Sequence, residues 1–233
     1  MSVINTITLD LWQTLILDTK EAGKERTELR LKGTRDVLLR LGEIYDIKDL
    51  DKAYHTCYRE CHSIRELGVD ISFEEQVALF ISKVSEGLRE RIGESIFIEL
   101  MQVYSDSFFE YPPVPHGNAL EVLTYLKATG CKLGLISNTG MTPGVAFRRF
   151  LEEHSMLCFF DVLTFSDEIR LSKPSSGMFM RALKELDSNP TSTVHVGDDL
   201  RNDVIGARTI GMKTIWIQGV SDSGHLVNSS SEA

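Results

Sequence analysis

The chain has 233 residues, 42% of them hydrophobic, and a formal net charge of −9. Its Lys and Arg are scattered, which excludes general nucleic-acid binding, where phosphate backbones demand clustered cations, and makes an anionic membrane surface a poor partner. The apolar content suffices for one large core, or a core plus a smaller insertion, and no run is long and apolar enough to span a bilayer.

Residues 1–10 lack the charged start and apolar centre of a signal peptide, so a cytoplasmic protein is expected. Residues 3–9 are rich in Ile, Thr and Val and read as a buried strand that runs directly into Asp10. From residue 18 to 111 the pattern becomes helical, over 20–41, 50–67, 73–88 and 95–109, with Gly42, Gly68 and Gly93 at the breaks. Ser72 before Phe73-Glu74-Glu75 is an N-cap followed by acidic first-turn residues. No strand pattern interrupts this block, which reads as a four-helix insertion. Within it, Cys57 and Cys61 lie near His55 and His62, but the spacing matches no standard zinc motif. These two cysteines, with Cys131 and Cys158, read as free thiols of a cytosolic protein.

The prolines of Tyr111-Pro112-Pro113-Val114-Pro115 form a stiff boundary. Beyond it helix and strand alternate: helices over 118–129, 144–153, 177–186 and 203–210, strands over 132–136, 162–165, 193–196 and 213–217. That alternation predicts an α/β fold, a doubly wound parallel sheet with helices on both faces. Residues 221–233, polar and Ser-rich, read as weakly ordered.

In open α/β sheets ligands bind beyond the carboxyl ends of the strands. There the sequence places Asp10, Ser137-Asn138, Lys173 and the run Gly197-Asp198-Asp199 with Asp203. Four carboxylates facing one cation repel one another unless they are exposed, protonated or neutralised. Mg²⁺ is the natural neutraliser, a hard ion that favours carboxylates, waters and a substrate phosphate. Lys173 and the Ser137 hydroxyl would then hold phosphate oxygens and Asp10 would be free to attack phosphorus.

These segments resemble the four motifs of the haloacid dehalogenase-like hydrolase superfamily, in the same order. Asp10-Leu11-Trp12-Gln13-Thr14-Leu15 stands where that family has Asp-x-Asp-x-Thr; Ser137-Asn138, Lys173-Pro174, and Gly197-Asp198-Asp199 with Asn202-Asp203 match the others. The resemblance implies a Rossmann-like core from residues 1–17 and 112–233 and a helical-bundle cap from 18–111. It implies Asp10 as nucleophile and metal ligand, and Asp198 and the Trp12 carbonyl as further ligands of Mg²⁺. Asp199 and Asp203 would act as outer or water-mediated ligands, and Ser137, Asn138 and Lys173 would grip the transferring group of a small phosphorylated substrate.

The chain departs from the pattern at Trp12. The family's phosphatases carry there a second Asp that protonates the leaving oxygen, and an indole N–H does neither acid nor base work at neutral pH. His55, Glu60, His62 and Glu66 are candidate substitutes. The family's dehalogenases also have an aromatic residue at this position, and would need a cationic cradle such as Arg26 or Arg30, both of which read from their helix as solvated. Their lack of the last acidic cluster argues the other way, since Asp198, Asp199 and Asp203 are all present. A metal-binding regulatory protein without turnover, and a phosphonate-cleaving enzyme using Lys20, Lys24 or Lys32, are the remaining readings.

Overall fold

The computed structural model describes residues 3–218. The stretch 221–233, expected to be weakly ordered, lies outside the described residues. In chain order the first elements are β1 (Thr6–Leu9), the short β2 (Ile16–Leu17), and the helices α1 (Lys20–Leu39), α2 (Ile47–Glu66), α3 (Phe73–Val84) and α4 (Leu88–Glu110). After the short β3 (Val114–Pro115) come α5 (Ala119–Ala128), β4 (Lys132–Ser137), α6 (Gly144–Glu153), β5 (Val162–Phe165), α7 (Ser166–Ile169) and α8 (Ser176–Glu185). β6 (Thr193–Gly197), a π-helical stretch (Leu200–Ile205), α9 (Gly206–Arg208) and β7 (Lys213–Trp216) complete the fold.

Five strands form one parallel sheet in the order β5-β4-β1-β6-β7. β1 is central because both its neighbours bury it; Thr6 and Thr8 are fully enclosed and Val3, expected in the strand, stays exposed outside it. Alternation along β4 divides the core between the two faces. Leu133 and Leu135 join α5 and α6 through Leu123, Phe147, Phe150 and Leu151. Ile136 faces the other way, onto α8 and α9 through Phe179, Leu183 and Ala207. From β1 the chain steps outward to β4 and β5, then returns to the far side of β1 as β6. The carboxyl ends of β4, β1 and β6 therefore border the place where strand order reverses, the crevice where such sheets bind ligands.

Helices α1–α4 share a separate core that includes Leu38, Leu50, Cys57, Cys61, Val77, Phe80, Phe97, Leu100 and Tyr104. Thr19, Asp46 and Ser72 each accept a first-turn N–H, and Ser72 forms a capping box with Glu75. α1 and α3 start where the sequence places them, whereas α2 starts at Ile47, before the expected residue 50, because Asp46 caps it. α3 ends at Val84, and the left-handed Gly87 (φ 68°) opens α4; at Gly93 (φ 70°, ψ 175°) the backbone leaves the helical region, where the sequence places a break, and a second helical run continues to Glu110. The sequence gives no warning of β2 and β3, which are only two residues each. They pair antiparallel, Ile16 with Pro115 and Leu17 with Val114, where the chain enters and leaves the helical segment. The helix expected over 203–210 starts earlier, as a π-helical stretch. The Asp199 carboxylate caps it by accepting the N–H groups of Arg201 and Asn202. Among the described residues no helix is long and apolar enough to cross a membrane.

Phe147, fully buried between α6 and the sheet, touches Phe108, Phe165 and Trp12 edge-on or stacked. Phe147→Ala should cost about 3–5 kcal/mol, read as a shift in urea midpoint with the slope unchanged.

Candidate active site

Asp10 ends β1, and its N–H donates to the Val196 carbonyl at 2.8 Å, which fixes it against β6. Lys173, in the segment between α7 and α8, reaches it through its side chain. The buried ammonium donates to Asp10 Oδ1 at 2.5 Å and to Asp203 Oδ1 at 2.6 Å. Asn138 holds the lysine's backbone from both sides, accepting the Lys173 N–H at 2.8 Å and donating to its carbonyl at 3.1 Å. Gly197 leaves the space that Asp203 fills, since a Cβ there would meet the Asp203 carboxyl carbon at 2.3 Å. The resulting cavity, of about 220 Å³, is lined by Asp10, Trp12, Asn138, Lys173, Asp198, Asp199, Asn202 and Asp203.

One partner lay outside the sequence reading. His195 on β6 stands directly opposite Thr8 on β1, and both are fully buried. The Thr8 hydroxyl lies 2.8 Å from Nδ1 and Asp203 Oδ1 lies 3.2 Å from Nε2. Burial lowers the pKa of this imidazole, against the raising effect of its hydrogen bond to Asp203; with the proton on Nε2, that N–H donates to the carboxylate and Nδ1 accepts from the Thr8 hydroxyl. The signal was available in principle: a His inside a strand, placed across from a Thr by parallel register, points into the sheet's interior with it.

The charges divide unequally. Burial would raise Asp203, but the Lys173 ammonium and the His195 hydrogen bond outweigh it and hold this carboxyl well below the usual range. Burial would also lower Lys173, and Asp10 and Asp203 outweigh it, keeping the ammonium protonated. Asp10 is pushed up to about 7, by burial first and then by the charge on Asp203, against the pull of Lys173. Asp198 is pushed up to about 6, again by burial and then by Asp203. Two carboxyl groups are thus held near neutrality in want of a cation.

Carboxylate oxygens of Asp10, Asp198 and Asp203 lie within 4.8 Å of one another. This all-oxygen set suits a hard divalent ion. Within it Asp203 is already committed, since Oδ1 accepts from Lys173 and His195, and Oδ2 accepts from the Asp199 N–H at 3.0 Å. Asp10 and Asp198 have the room. Asp199, expected as an outer or water-mediated ligand, lines the cavity but gives its Oδ1 to the helix cap and is not one of the three clustered carboxylates. Ser137, expected to grip substrate, is fully buried with its hydroxyl on the Asn138 carbonyl, while Asn138 itself is committed to Lys173.

Trp12 stands edge-on to Phe108 and Phe147 at 6.4 and 5.3 Å between ring centroids. It also walls a second chamber of about 310 Å³ beneath the helices. Arg26 and Arg30, expected to be solvated, are buried at this chamber because α1 turns that face onto α4 and the core rather than to water. The proposed substitutes for the missing Asp fare differently: His55 pairs with Asp51, Glu60 with Lys83, and Glu66 with His62 and Arg201. None of the four lines either cavity.

The sequence model of the haloacid dehalogenase-like hydrolase family matches residues 44–217. The chain belongs to this family. The matched stretch begins after Asp10, so that residue's place in the site rests on the sheet itself. The chain is 32% identical over 105 residues to the glyceraldehyde 3-phosphate phosphatase of Methanothermobacter thermautotrophicus, an alignment covering 44% of each protein. It is 26% identical over 158 residues to the phosphorylated carbohydrates phosphatase of Thermotoga maritima, covering 67% of each. The chain thus spans less than half the length of the first of these relatives. Among solved structures, the 2-haloacid dehalogenase of Pseudomonas syringae pv. Tomato superposes with a TM-score of 0.66 at 18% identity, over 98% of this chain and 91% of that one, a likeness of fold.

The raised carboxyl groups have a consequence for stability. Between the unfolded carboxyl value near ~4 and the folded values of about 6 and 7, the folded chain keeps protons that the unfolded chain has released, so stability falls as pH rises. A bound divalent cation removes that penalty. Mg²⁺ should therefore raise the melting temperature at pH 7.5 and do so much less at pH 5.5, as scanning calorimetry will show. Asp198→Asn should abolish most of the response.

Proposed function

We propose that this haloacid dehalogenase-like hydrolase is a cytoplasmic, Mg²⁺-dependent phosphatase of small phosphorylated metabolites. Residues 1–17 and 112–233 would form its catalytic core and 18–111 a cap. The observation that carries the reading is the Asp10–Lys173–Asp203 chain beside Asp198, at the carboxyl ends of the central strands. The names of the phosphatase relatives support it, as does an acidic cluster that a displacement of halide from carbon has no use for.

Asp10 is the nucleophile. Its carboxylate attacks phosphorus, the P–O bond to the leaving group breaks, and an aspartyl-phosphate forms. Lys173, freed in part from Asp10 as its carboxylate becomes an acyl phosphate and loses charge, donates to the phosphoryl oxygens and stays anchored by Asp203. Asp203, bonded in turn to His195, orients the ammonium, and Asn138 fixes the lysine's backbone. Mg²⁺, held by Asp10, Asp198 and the Trp12 carbonyl, would neutralise charge between nucleophile and phosphoryl group. Water then attacks the intermediate and frees Asp10.

Trp12 shapes which esters react. With no acid at its position, the leaving oxygen departs as an anion, which aryl and acyl phosphates tolerate and alkyl phosphates do not. The second reading, a 2-haloacid dehalogenase, is favoured by the aromatic ring at Trp12 together with a cation-lined chamber behind it.

Phosphate release in Mg²⁺ should be fast with acetyl or aryl phosphates, slow with alkyl esters, lost in EDTA, and reduced to background by Asp10→Asn. Trp12→Asp should raise the alkyl-ester rate by about 10²-fold or more, the low end of what general acid–base help supplies. Metal-independent chloride release from 2-chloropropionate, with no phosphatase activity, would replace this reading with the second.

A further inference from the structure

Arg30 carries a buried charge that no neighbouring group balances. The residue is 3% exposed. Nε donates to the Ser107 hydroxyl at 2.8 Å and more weakly to the Tyr104 carbonyl at 3.4 Å. Nη1 donates to the Tyr54 hydroxyl at 3.3 Å, Nη2 to the Thr142 hydroxyl at 3.2 Å, and the guanidinium lies 5.4 Å from the Tyr104 ring centroid. All of these partners are neutral. Among the described residues, the other buried cations each have a carboxylate: Arg26 has Asp18, and Lys173 has Asp10 and Asp203. Arg30 has none. An ionised group taken out of water without a counter-charge is costly, and guanidinium cannot shed its proton to escape the cost. If its task were only to tie α1 to α4, a neutral side chain would do so at less expense.

The unused donors have a definite shape. A guanidinium has five N–H groups. The contacts above leave one hydrogen on each of Nη1 and Nη2, a fork that matches two oxygens of one anion. The chamber that Arg30 lines has room for such a group, at about 310 Å³. It also keeps a net positive charge, since Arg26 is neutralised by Asp18 there. Its other wall is Trp12 and the loop of Thr139, Gly140 and Thr142, which continues directly from Asn138 of the catalytic cavity. Trp12 borders both cavities, so a molecule with its phosphoryl end at Asp10 would pass that ring to present its far end to Arg30.

We propose that this chamber is a subsite for a second anionic group, a carboxylate or a phosphate at the far end of the substrate, taken by the Arg30 fork. The placement of the phosphoryl end rests on the phosphatase reading; the anion preference of the chamber does not.

The test is calorimetric titration of the full-length Asp10→Asn protein in Mg²⁺. The probes are ω-phosphonooxy carboxylates of increasing chain length, propane-1,3-diyl bisphosphate, and ethyl phosphate as the ester without a second charge. At least one doubly anionic probe should bind about tenfold tighter than ethyl phosphate, or better, as expected of charge-assisted hydrogen bonds. The carboxylate and bisphosphate arms identify which oxyanion the fork prefers. Arg30→Met should erase the preference and Arg30→Lys should keep part of it, a rescue that a purely structural arginine would not show. If Arg30→Met does not fold, Arg30→Gln, which keeps neutral donors to Ser107 and Thr142, gives the same reading. Equal affinity for charged and uncharged tails, a preference that survives loss of the charge, or no binding of any anion overturns the proposal. If phosphates fail to bind but the native protein binds 2-chloropropionate in an Arg30-dependent way, the phosphatase reading falls and the subsite stands. If the native protein hydrolyses phosphate esters without regard to their tails, the subsite falls and the phosphatase stands.

Discussion

The site depends on one buried ammonium shared between two carboxylates. Lys173 bonds Asp10 and Asp203 at almost equal distances, in a place where neither charge could persist alone. Remove the lysine and two buried carboxyl groups lose their counter-charge, which breaks a buried pair in its costliest way. The surroundings are arranged to keep it in place. Asn138 clamps its backbone, the absence of a side chain at Gly197 lets Asp203 approach, and His195 braces Asp203 from inside the sheet. Each of these residues reaches the site from a different strand or from the segment that follows one, so the sheet's register is what sets their distances.

That lysine does not satisfy the whole cluster. One cation serves Asp203 first, which leaves Asp10 and Asp198 partly protonated near neutral pH. Groups whose environments push their titrations apart are a common mark of sites that bind a cation or do chemistry. The same imbalance recurs with opposite sign behind Trp12, where a guanidinium lacks an anion. Negative charge in excess on one side of an indole ring, and positive charge in excess on the other, describes the polarity of what fits between them.

The helical block and the strand-helix alternation after residue 118 were legible because each element carries its own period and its own punctuation, such as Ser72 before α3 and Gly130 after α5. The gathering of Asp10, Asp198, Lys173 and Asp203 was legible because strand ends in such sheets converge. What stayed hidden depends on partners far along the chain. Arg26 and Arg30 sit in the charged first half of α1, where Leu29 and Leu31 are the only large apolar neighbours, and only the packing of α1 on α4 and the core loop shows that they are inside. Asp199 and Asp203 look alike in sequence, yet one caps the turn that positions the other. His195 is held by Thr8, 187 residues away, as well as by the nearby Asp203.

The pairing of β2 with β3 is two residues long on each side, and it sets a topological condition on all that lies between. Leu17 and Val114 face each other across one ladder spacing, so the ninety-odd intervening residues form, to the sheet, a single closed loop. The cost of closing such a loop rises only slowly with its length. The length of the helical segment is therefore weakly constrained at its two ends, but its α2–α3 turn is not free of the site: Ser172, next to Lys173, donates to the carbonyls of Arg65 and Val69, so a change in that turn is felt at the lysine.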